Sequence, residues 1–125
     1  MVAATSGFIG INGNGPLLGD DSASIKKFVD HMEYITQLVG DDYVGLGTDL
    51  VYFPEIFDQF LKKNAAVYPS NYGIKSVNSW KSVQPEQITS IVNELQMREY
   101  DDQTIQKILG GNYLRVANQV WKEQL

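Results

Sequence analysis

An aspartate that follows a short apolar segment is the strongest candidate for chemistry in this sequence. Asp49 comes after Tyr43–Gly47, a segment predicted to be a buried strand. Parallel α/β folds place catalytic groups at the carboxyl ends of their strands. Gly45 and Gly47 leave little side chain nearby, so a ligand could approach the carboxylate. The alternative is a strand-end carboxylate that caps a loop amide, and the pattern alone leaves both interpretations open.

A glycine-rich segment raises the question of phosphate binding. Gly13, Gly15 and Gly19 follow one predicted strand and precede a helix, the position of a dinucleotide-binding loop. However, the spacing is one residue longer than GxGxxG, and Pro16 lacks an amide hydrogen that a phosphate would need. Asp49 comes 34 residues after Gly15, whereas the acidic residue of that fingerprint comes about 20 residues on. A plain strand-to-helix turn is therefore favoured over a nucleotide site.

The chain contains few side chains that could bind a transition metal. It has one histidine and no cysteine, which excludes thiolate zinc sites and a complete histidine-based centre built from this chain alone. His31 lies at the edge of a helical apolar stripe, so we interpret it as a packing residue rather than a ligand. Asp41–Asp42 and Asp101–Asp102 each precede a new element and are predicted to be turn and cap residues.

Composition limits the class of protein. The 125 residues are 43% apolar and 20% charged, typical of a folded domain, and no apolar run is long enough to span a membrane. The net charge is −5, and the basic residues include only isolated pairs, Lys26–Lys27 and Lys62–Lys63, which argues against a nucleic acid partner. The N-terminus lacks the features of a signal peptide. The sequence leaves the compartment unknown, with the cytoplasm favoured.

The first half of the chain predicts a βαβ unit. Gly7–Asn12 is an apolar, non-alternating strand expected to be covered on both faces. Asp21 or Ser22 is the expected cap of the helix that follows, and Gly40 is the expected left-handed residue at its end. The apolar stripe of this helix is Ile25, Phe28, Val29, Met32, Ile35, Leu38 and Val39. With Tyr43–Gly47 as second strand, the pairing should be parallel with a right-handed crossover.

The second half is predicted to be mostly helical. Pro54–Leu61 is a short helix, and the chain from there through Pro69, Gly73 and Trp80 is an ordered loop. The aromatic residues of that loop either line a pocket or form a satellite cluster beneath it. Three helices are expected to follow. The first begins at Pro85, the second is capped by Asp101 and ends at Gly110–Gly111, and the third begins at Asn112. Their expected apolar positions are Ile88, Ile91, Val92 and Leu95; Ile105, Ile108 and Leu109; and Leu114, Val116, Ala117, Val120 and Trp121.

Three sequence blocks together resemble a known family. They are FVDHMEYITQLVG at 28–40, YVGLGTD at 43–49 and YDDQTIQKILGGNYLRV at 100–116. In this order they are similar to the C-terminal part of the membrane (renal) dipeptidases, zinc peptidases of the amidohydrolase superfamily. The likeness extends over most of the chain and is weakest between residues 52 and 83.

The resemblance implies an α/β fold in which residues 1–125 form the C-terminal segment of a (β/α)8 TIM-type barrel. The chain would supply the last two strands, the helix between them and the C-terminal helices, a partial barrel only. A complete barrel typically takes about 250 residues. The complete enzyme would hydrolyse dipeptides with two zinc ions, and Asp49 matches the aspartate that transfers the proton to the leaving amine. The family's zinc ligands come from earlier strands, and His31 is not one of them, so this segment alone is expected to be inactive.

The chain also departs from the family pattern. Many members continue after the aspartate with Phe-Asp-Gly, whereas this chain has Leu50-Val51-Tyr52. Some members carry aromatic residues near the substrate where this chain has Gly13-Asn14, so substrate preference cannot be transferred. The alternatives are a non-catalytic α/β module that associates with itself or with the missing barrel portion, and, less favoured, a small nucleotide-binding domain.

Overall fold

The structure, a computed structural model, describes residues 2–20, 22–64, 66–67 and 81–121, without the side chains of Pro54 and Asp58. Short 3-10 turns occupy Ala3–Thr5, Asp41–Tyr43 and Pro85–Gln87, and a π-turn occupies Lys107–Gly111. The strands are β1 (Ile9–Asn12) and β2 (Val44–Gly47). The helices are α1 (Gly15–Leu18), α2 (Ile25–Val39), α3 (Pro54–Lys63), α4 (Ile88–Met97), α5 (Asp102–Gln106) and α6 (Asn112–Val120).

The two described strands form a parallel pair joined through α2, which confirms the predicted βαβ unit. Their register runs from Ile9 opposite Val44 to Asn12 opposite Gly47. The strands therefore end level with each other, and the residues that follow both of them emerge at one edge of the sheet. The architecture is mixed α/β, a helical layer packed on a two-stranded parallel sheet.

The core lies between this sheet and the helices. Side chains alternate across a strand, so Ile9 and Ile11 share one face with Val44 and Leu46. That face packs into the core, in which Ile11 and Val44 are buried. Gly10, on the opposite face, is exposed. The expectation that β1 is covered on both faces is therefore wrong at Gly10, because no described element packs over it.

Helix α2 starts later than the sequence suggests. Ser24 is its N-cap, and the Ser24 hydroxyl accepts a 3.4 Å hydrogen bond from the amide of Lys27. Ser22 is not the cap, because its amide and hydroxyl both donate to Oδ1 of Asp20 in the preceding turn. Asp21 lies outside the described residues. The most deeply buried residues of α2 are Phe28, Val29 and Met32, whereas Leu38 of the predicted stripe is 61% exposed.

The turn after α2 differs from the expected one. Gly40 has φ +97° and ψ 161°. The positive φ favours glycine, but the ψ value places the residue outside the left-handed helical region. The backbone therefore continues directly into the 3-10 turn Asp41–Tyr43. Because this turn includes Tyr43, β2 begins at Val44, one residue later than predicted.

The C-terminal helices are partly as predicted. Asp101 caps α5 by accepting a 2.8 Å hydrogen bond from the amide of Thr104. Gly110 has φ 175° within the turn that joins α5 to α6, so the glycines mark a kink between two helices. The buried apolar positions of these three helices and of the π-turn are Ile91, Leu95, Ile105, Ile108 and Ala117. The expected core positions that are instead exposed are Ile88, Leu114, Val120 and Trp121, and for them no described element provides a covering surface.

Two polar residues of α6 form hydrogen bonds to backbone carbonyls near the start of β2. Asn112 is 2% exposed, and its side-chain amide donates to the carbonyls of Asp41, at 2.7 Å, and Val44, at 2.8 Å. Arg115 donates to the carbonyl of Asp42 at 2.7 Å and also to that of Ser6. These bonds satisfy backbone groups beside the sheet and so fix the position of β2.

Helix α3 confirms the short helix predicted from Pro54, which takes its first position. The loop predicted through Pro69, Gly73 and Trp80 lies outside the described residues, so its aromatic pocket or cluster stays a prediction. Among the described residues, no helix combines the length and apolar character needed to cross a membrane.

Candidate functional site

Three polar side chains meet at the carboxyl ends of the strands. Asn12 is the last residue of β1, Asn14 lies two residues further, and Asp49 lies two residues after β2. The side-chain amides of Asn12 and Asn14 donate to the same oxygen of Asp49, Oδ2, over 2.9 Å and 2.8 Å. We call these residues the Asn–Asp cluster. The level ends of two parallel strands bring them together across 37 positions of sequence.

The turn between Asn12 and Asn14 is rigidly built. Oδ1 of Asn12 accepts a 2.8 Å hydrogen bond from the backbone amide of Asn14, so one side chain both shapes its own turn and contacts Asp49. Asn14 is 2% exposed and forms an antiparallel bridge with Ser82. The segment before α4 therefore supports the turn from its other side.

Gly13 allows this turn to approach the end of β2. Its amide donates to the carbonyl of Thr48 at 3.2 Å, and its carbonyl accepts from the amide of Val83 at 2.9 Å. A Cβ at Gly13 would lie 2.8 Å from the Thr48 carbonyl oxygen and 3.0 Å from the Val83 Cβ. Glycine is thus required by the close approach of two backbones.

Asp49 is held at one oxygen and open at the other. Its side chain is exposed, and Oδ1 accepts no hydrogen bond from the described residues. The backbone of Asp49 has φ +52°, in the left-handed region that aspartate tolerates better than most residues. A carboxylate with one oriented and one open oxygen can accept a proton and release it to a neighbouring group. The assignment of Asp49 as catalytic stays a prediction.

The donor set of the chain does not fit a zinc centre. Within the described ranges, no group of three or more histidine, cysteine, aspartate or glutamate side chains is arranged to hold a metal ion. The two side chains that form hydrogen bonds to Asp49 are amides, and both direct N–H groups at the carboxylate. His31 is exposed, and its Nε2 lies 3.4 Å from the carbonyl oxygen of Leu18. The interpretation of His31 as a packing residue is therefore wrong, since it lies on the surface.

The glycine-rich segment is a structural turn rather than a phosphate cradle. The amides of Gly13 and Gly15 already donate to the carbonyls of Thr48 and Lys81, and Pro16 has no amide hydrogen. Gly19 ends α1 with φ +69°. A phosphate would have to break these backbone bonds, so the geometry disfavours nucleotide binding.

The paired aspartates have structural partners. Both Asp41 and Asp42 form ion pairs with Lys107, at 3.2 Å and 2.8 Å. Burial raises the pKa of Asp41, but hydrogen bonds from Lys107 and Thr104 outweigh it and hold that pKa below its usual range. Asp41 and Asp42 thus link the start of β2 to the π-turn, away from the Asn–Asp cluster.

Sequence reasoning identified Asp49 but missed its two partners. The sequence pattern placed Asn12 only at the end of a predicted strand, and Asn14 only where some members of the resembled family carry aromatic residues near the substrate. The available signal was their position, because polar residues that follow neighbouring parallel strands converge at one sheet edge.

Comparison with known proteins shows a likeness to one family in the first half of the chain. Residues 1–62 match the model of the membrane dipeptidase family, peptidase family M19. A protein of Klebsiella pneumoniae, described as an uncharacterized protein in the pqqA 5′ region, is 26% identical over 124 residues. That match covers 95% of this chain but 37% of the Klebsiella protein, so the chain spans about a third of the length of this relative. No solved structure matches the chain. The matched residues contain β1, α2, β2 and the whole Asn–Asp cluster, and over these residues the chain is similar to the membrane dipeptidase family.

Proposed function

We propose that this chain is the C-terminal segment of a dipeptide-hydrolysing enzyme and that Asp49 transfers the proton in the reaction. The observation that carries the proposal is the Asn–Asp cluster, in which two amides orient one carboxylate at the shared end of two parallel strands. The family match of the same residues supports a peptidase.

In the proposed reaction each residue of the cluster has a separate task. Asn12 and Asn14 hold Oδ2 and so fix the orientation of the carboxylate. The open Oδ1 accepts a proton from the attacking water and then donates it to the amine nitrogen as the peptide C–N bond breaks. General acid–base catalysis of this kind typically contributes about 10²–10⁴-fold in rate.

The zinc ions implied by the family resemblance are assigned to residues outside this chain. The described residues supply no suitable group, and the sequence contains one histidine and no cysteine. We therefore expect the isolated chain neither to hold the zinc pair nor to hydrolyse dipeptides. Stoichiometric zinc with turnover by the purified chain would contradict this expectation.

Several observations support a partial (β/α)8 barrel. A parallel β–α–β unit is the repeating unit of that fold. The exposed Gly10 leaves one face of the sheet open, where further strands and their side chains would pack. The length of the Klebsiella relative, of which this chain covers 37%, would accommodate the rest of a barrel.

A chimera tests the proposal directly. This chain would replace the matched segment of the Klebsiella protein, and the purified product would be assayed for zinc content and for dipeptide hydrolysis. We expect a folded, zinc-containing enzyme with dipeptidase activity. A folded chimera that binds zinc and leaves dipeptides intact would contradict the proposed function.

A second candidate function is a non-catalytic module that associates with itself or with a complementary fragment. It is favoured by an apolar surface at the start of α3, where Tyr52 is 77%, Phe53 67%, Ile56 65% and Phe60 48% exposed. Grouped exposed apolar side chains are typical of interaction surfaces.

A further inference from the structure

Two asparagine–glycine dipeptides lie in the Asn–Asp cluster, and the sequence contains no others. They are Asn12–Gly13 and Asn14–Gly15. At such a dipeptide the backbone nitrogen of glycine can attack the side-chain carbonyl carbon of asparagine and displace ammonia, because glycine has no Cβ to hinder the approach. The proposed function makes no use of this chemistry, and the surroundings of the two dipeptides differ.

The side chain of Asn12 is hydrogen-bonded at both of its polar atoms. Its Oδ1 accepts a 2.8 Å bond from the backbone amide of Asn14, which would stabilise negative charge on that oxygen as the carbonyl carbon is attacked. Its Nδ2, the leaving nitrogen, donates over 2.9 Å to Oδ2 of Asp49. The bond to the Asn14 amide also folds the side chain toward Gly13, which carries the attacking nitrogen. An oxyanion donor, an acid–base group and a nucleophile thus surround one amide.

A single backbone hydrogen bond restrains the attacking nitrogen. The Gly13 amide donates over 3.2 Å to the carbonyl of Thr48, just beyond Asn12 and Gly47, the last paired residues of the two strands. Bonds at the end of a strand pair open at a lower free energy than those of the core. Because Asn12 is only half-buried, water can reach its side chain when this bond opens.

The second dipeptide is held more firmly. Asn14 is 2% exposed, and its carbonyl accepts hydrogen bonds from the amides of Leu17 and Leu18, each at 3.0 Å, at the start of α1. The Gly15 amide, which would be the nucleophile, donates to the carbonyl of Lys81 at 2.8 Å. Reaction at Asn14 requires the start of a helix to open in addition to this shorter bond, so it should be the slower of the two.

We propose that the Asn–Asp cluster catalyses the deamidation of its own Asn12, with Asp49 delivering the proton to the leaving nitrogen. A bond forms between the Gly13 nitrogen and Cγ of Asn12, the Cγ–Nδ2 bond breaks, and ammonia leaves with the proton from the Gly13 nitrogen. Water then opens the resulting succinimide ring at either carbonyl, which gives aspartate or isoaspartate at position 12. Water is the only co-reactant, so the inference does not depend on the proposed function.

The products remove the contacts that hold Asp49. An aspartate at position 12 has no side-chain N–H group to donate, and it places a second carboxylate beside that of Asp49, where like charges repel. An isoaspartate routes the main chain through the former side chain, which lengthens the backbone at the end of β1 and displaces Gly13 from Thr48. Deamidation therefore ends the orientation of the Asp49 carboxylate.

Peptide mapping by mass spectrometry would measure the reaction in the folded chain and in urea, at mildly alkaline pH. In the folded chain Asn12 should be modified about tenfold faster than Asn14, the factor expected from one additional backbone hydrogen bond that must open. Asp49→Asn should slow the reaction at Asn12 by about tenfold or more, since general acid–base catalysis typically contributes about 10²–10⁴-fold. In urea both asparagines should react at similar rates, whether or not Asp49 is substituted.

A matched variant controls for the loss of charge. Asp102→Asn removes a carboxylate at an exposed position of α5 and should leave the rate at Asn12 unchanged. Circular dichroism would verify that both variants remain folded, and the ratio of the two rates in the unsubstituted chain needs no variant at all. Equal rates at Asn12 and Asn14 in the folded chain, or an unchanged rate at Asn12 in folded Asp49→Asn, would overturn the inference.

The consequence for the cluster has its own test. Asn12→Asp reproduces one product of the reaction and should lower the Tm, because it replaces a donor to Asp49 with a like charge. Asn118→Asp makes the same change at an exposed position of α6 and should leave the Tm unchanged. Equal Tm values for Asn12→Asp and the unsubstituted chain would contradict the loss of contacts at Asp49.

Discussion

The side-chain amide of Asn14 donates a 2.8 Å hydrogen bond to Oδ2 of Asp49. Asn14 is 2% exposed, whereas the Asp49 side chain reaches solvent. A buried amide thus binds Oδ2 of an exposed carboxylate and leaves Oδ1 accessible.

Loss of the Asn14 amide should affect both stability and activity. Asn14→Ala removes a buried hydrogen-bond donor and should lower the free energy of unfolding by about 1–3 kcal/mol. In the chimera it should also lower kcat, because the carboxylate would lose part of its orientation. Urea unfolding and steady-state kinetics measure the two effects. Asn93→Ala, at an exposed position of α4, is the control and should change neither quantity.

The substitution Gly13→Ala, which adds a methyl group, should force the ends of β1 and β2 apart. The new Cβ would meet the Thr48 carbonyl oxygen at 2.8 Å, and overpacking of this kind typically costs about 1–3 kcal/mol. Gly111→Ala is the matched control, because Gly111 has helical φ and ψ of −57° and −42° and a nearest contact of 3.3 Å. Thermal unfolding should show a lower Tm for Gly13→Ala only. Equal Tm values for the two variants would contradict the close approach.

The ion-pair network of Arg98 should make stability sensitive to acid. Arg98 joins α4 to α2 by bonds to Asp30 and Glu33, at 2.7 Å and 2.8 Å, and its hydrogen bond holds the pKa of Asp30 below the usual range. The stabilisation is fully present above the unfolded-state pKa of about 3.9 and is lost as pH falls through the lowered folded-state value. Urea midpoints measured against pH should therefore fall less steeply in this acidic range for Arg98→Gln than for the unsubstituted chain.

Lys27→Gln provides the control for that experiment. Lys27 also contacts Asp30, but over 3.9 Å and with 53% of its side chain exposed, and exposed pairs contribute little. Its acid dependence should match that of the unsubstituted chain. A slope reduced as much as in Arg98→Gln would show that the Arg98 contacts have no special role.

The apolar surface at the start of α3 should promote self-association if the module hypothesis is correct. Ile56→Lys places a charge among exposed apolar side chains and should shift sedimentation toward the monomer. Gln59→Lys adds the same charge at another exposed position of α3 and should have a smaller effect. A chain that sediments as a monomer at every concentration would exclude self-association through this surface.

Local patterns were sufficient to predict the βαβ unit. The apolar spacing of α2 and the glycine-bounded strands each reflect burial against a neighbouring element, which a sequence records directly. The cap was misplaced because Ser22 and Ser24 are chemically equivalent candidates, and only the turn bonds of Ser22 to Asp20 distinguish them. Trp121 and Leu114 were expected in the core because they are hydrophobic. The expectation failed because hydrophobicity alone does not specify which element would cover them.

The candidate site was predictable only in part for a similar reason. Asp49 follows a recognisable strand, so its position at a sheet edge could be anticipated. Its hydrogen bonds to Asn12 and Asn14 depend on the register of β1 with β2, which is set by three-dimensional pairing. The pairing of Asn14 with Ser82, which supports the turn, spans a still longer separation and has no local signal.

The central claim is that Asp49 transfers the proton in dipeptide hydrolysis, and the most direct test is the kcat of Asp49→Asn in the chimera. Asparagine keeps the size of the side chain but cannot carry the proton, so kcat should fall by about 100-fold or more while the zinc content stays unchanged. Asp102→Asn, an exposed first-turn residue of α5, is the control and should retain full activity. An unchanged kcat in Asp49→Asn would contradict the account.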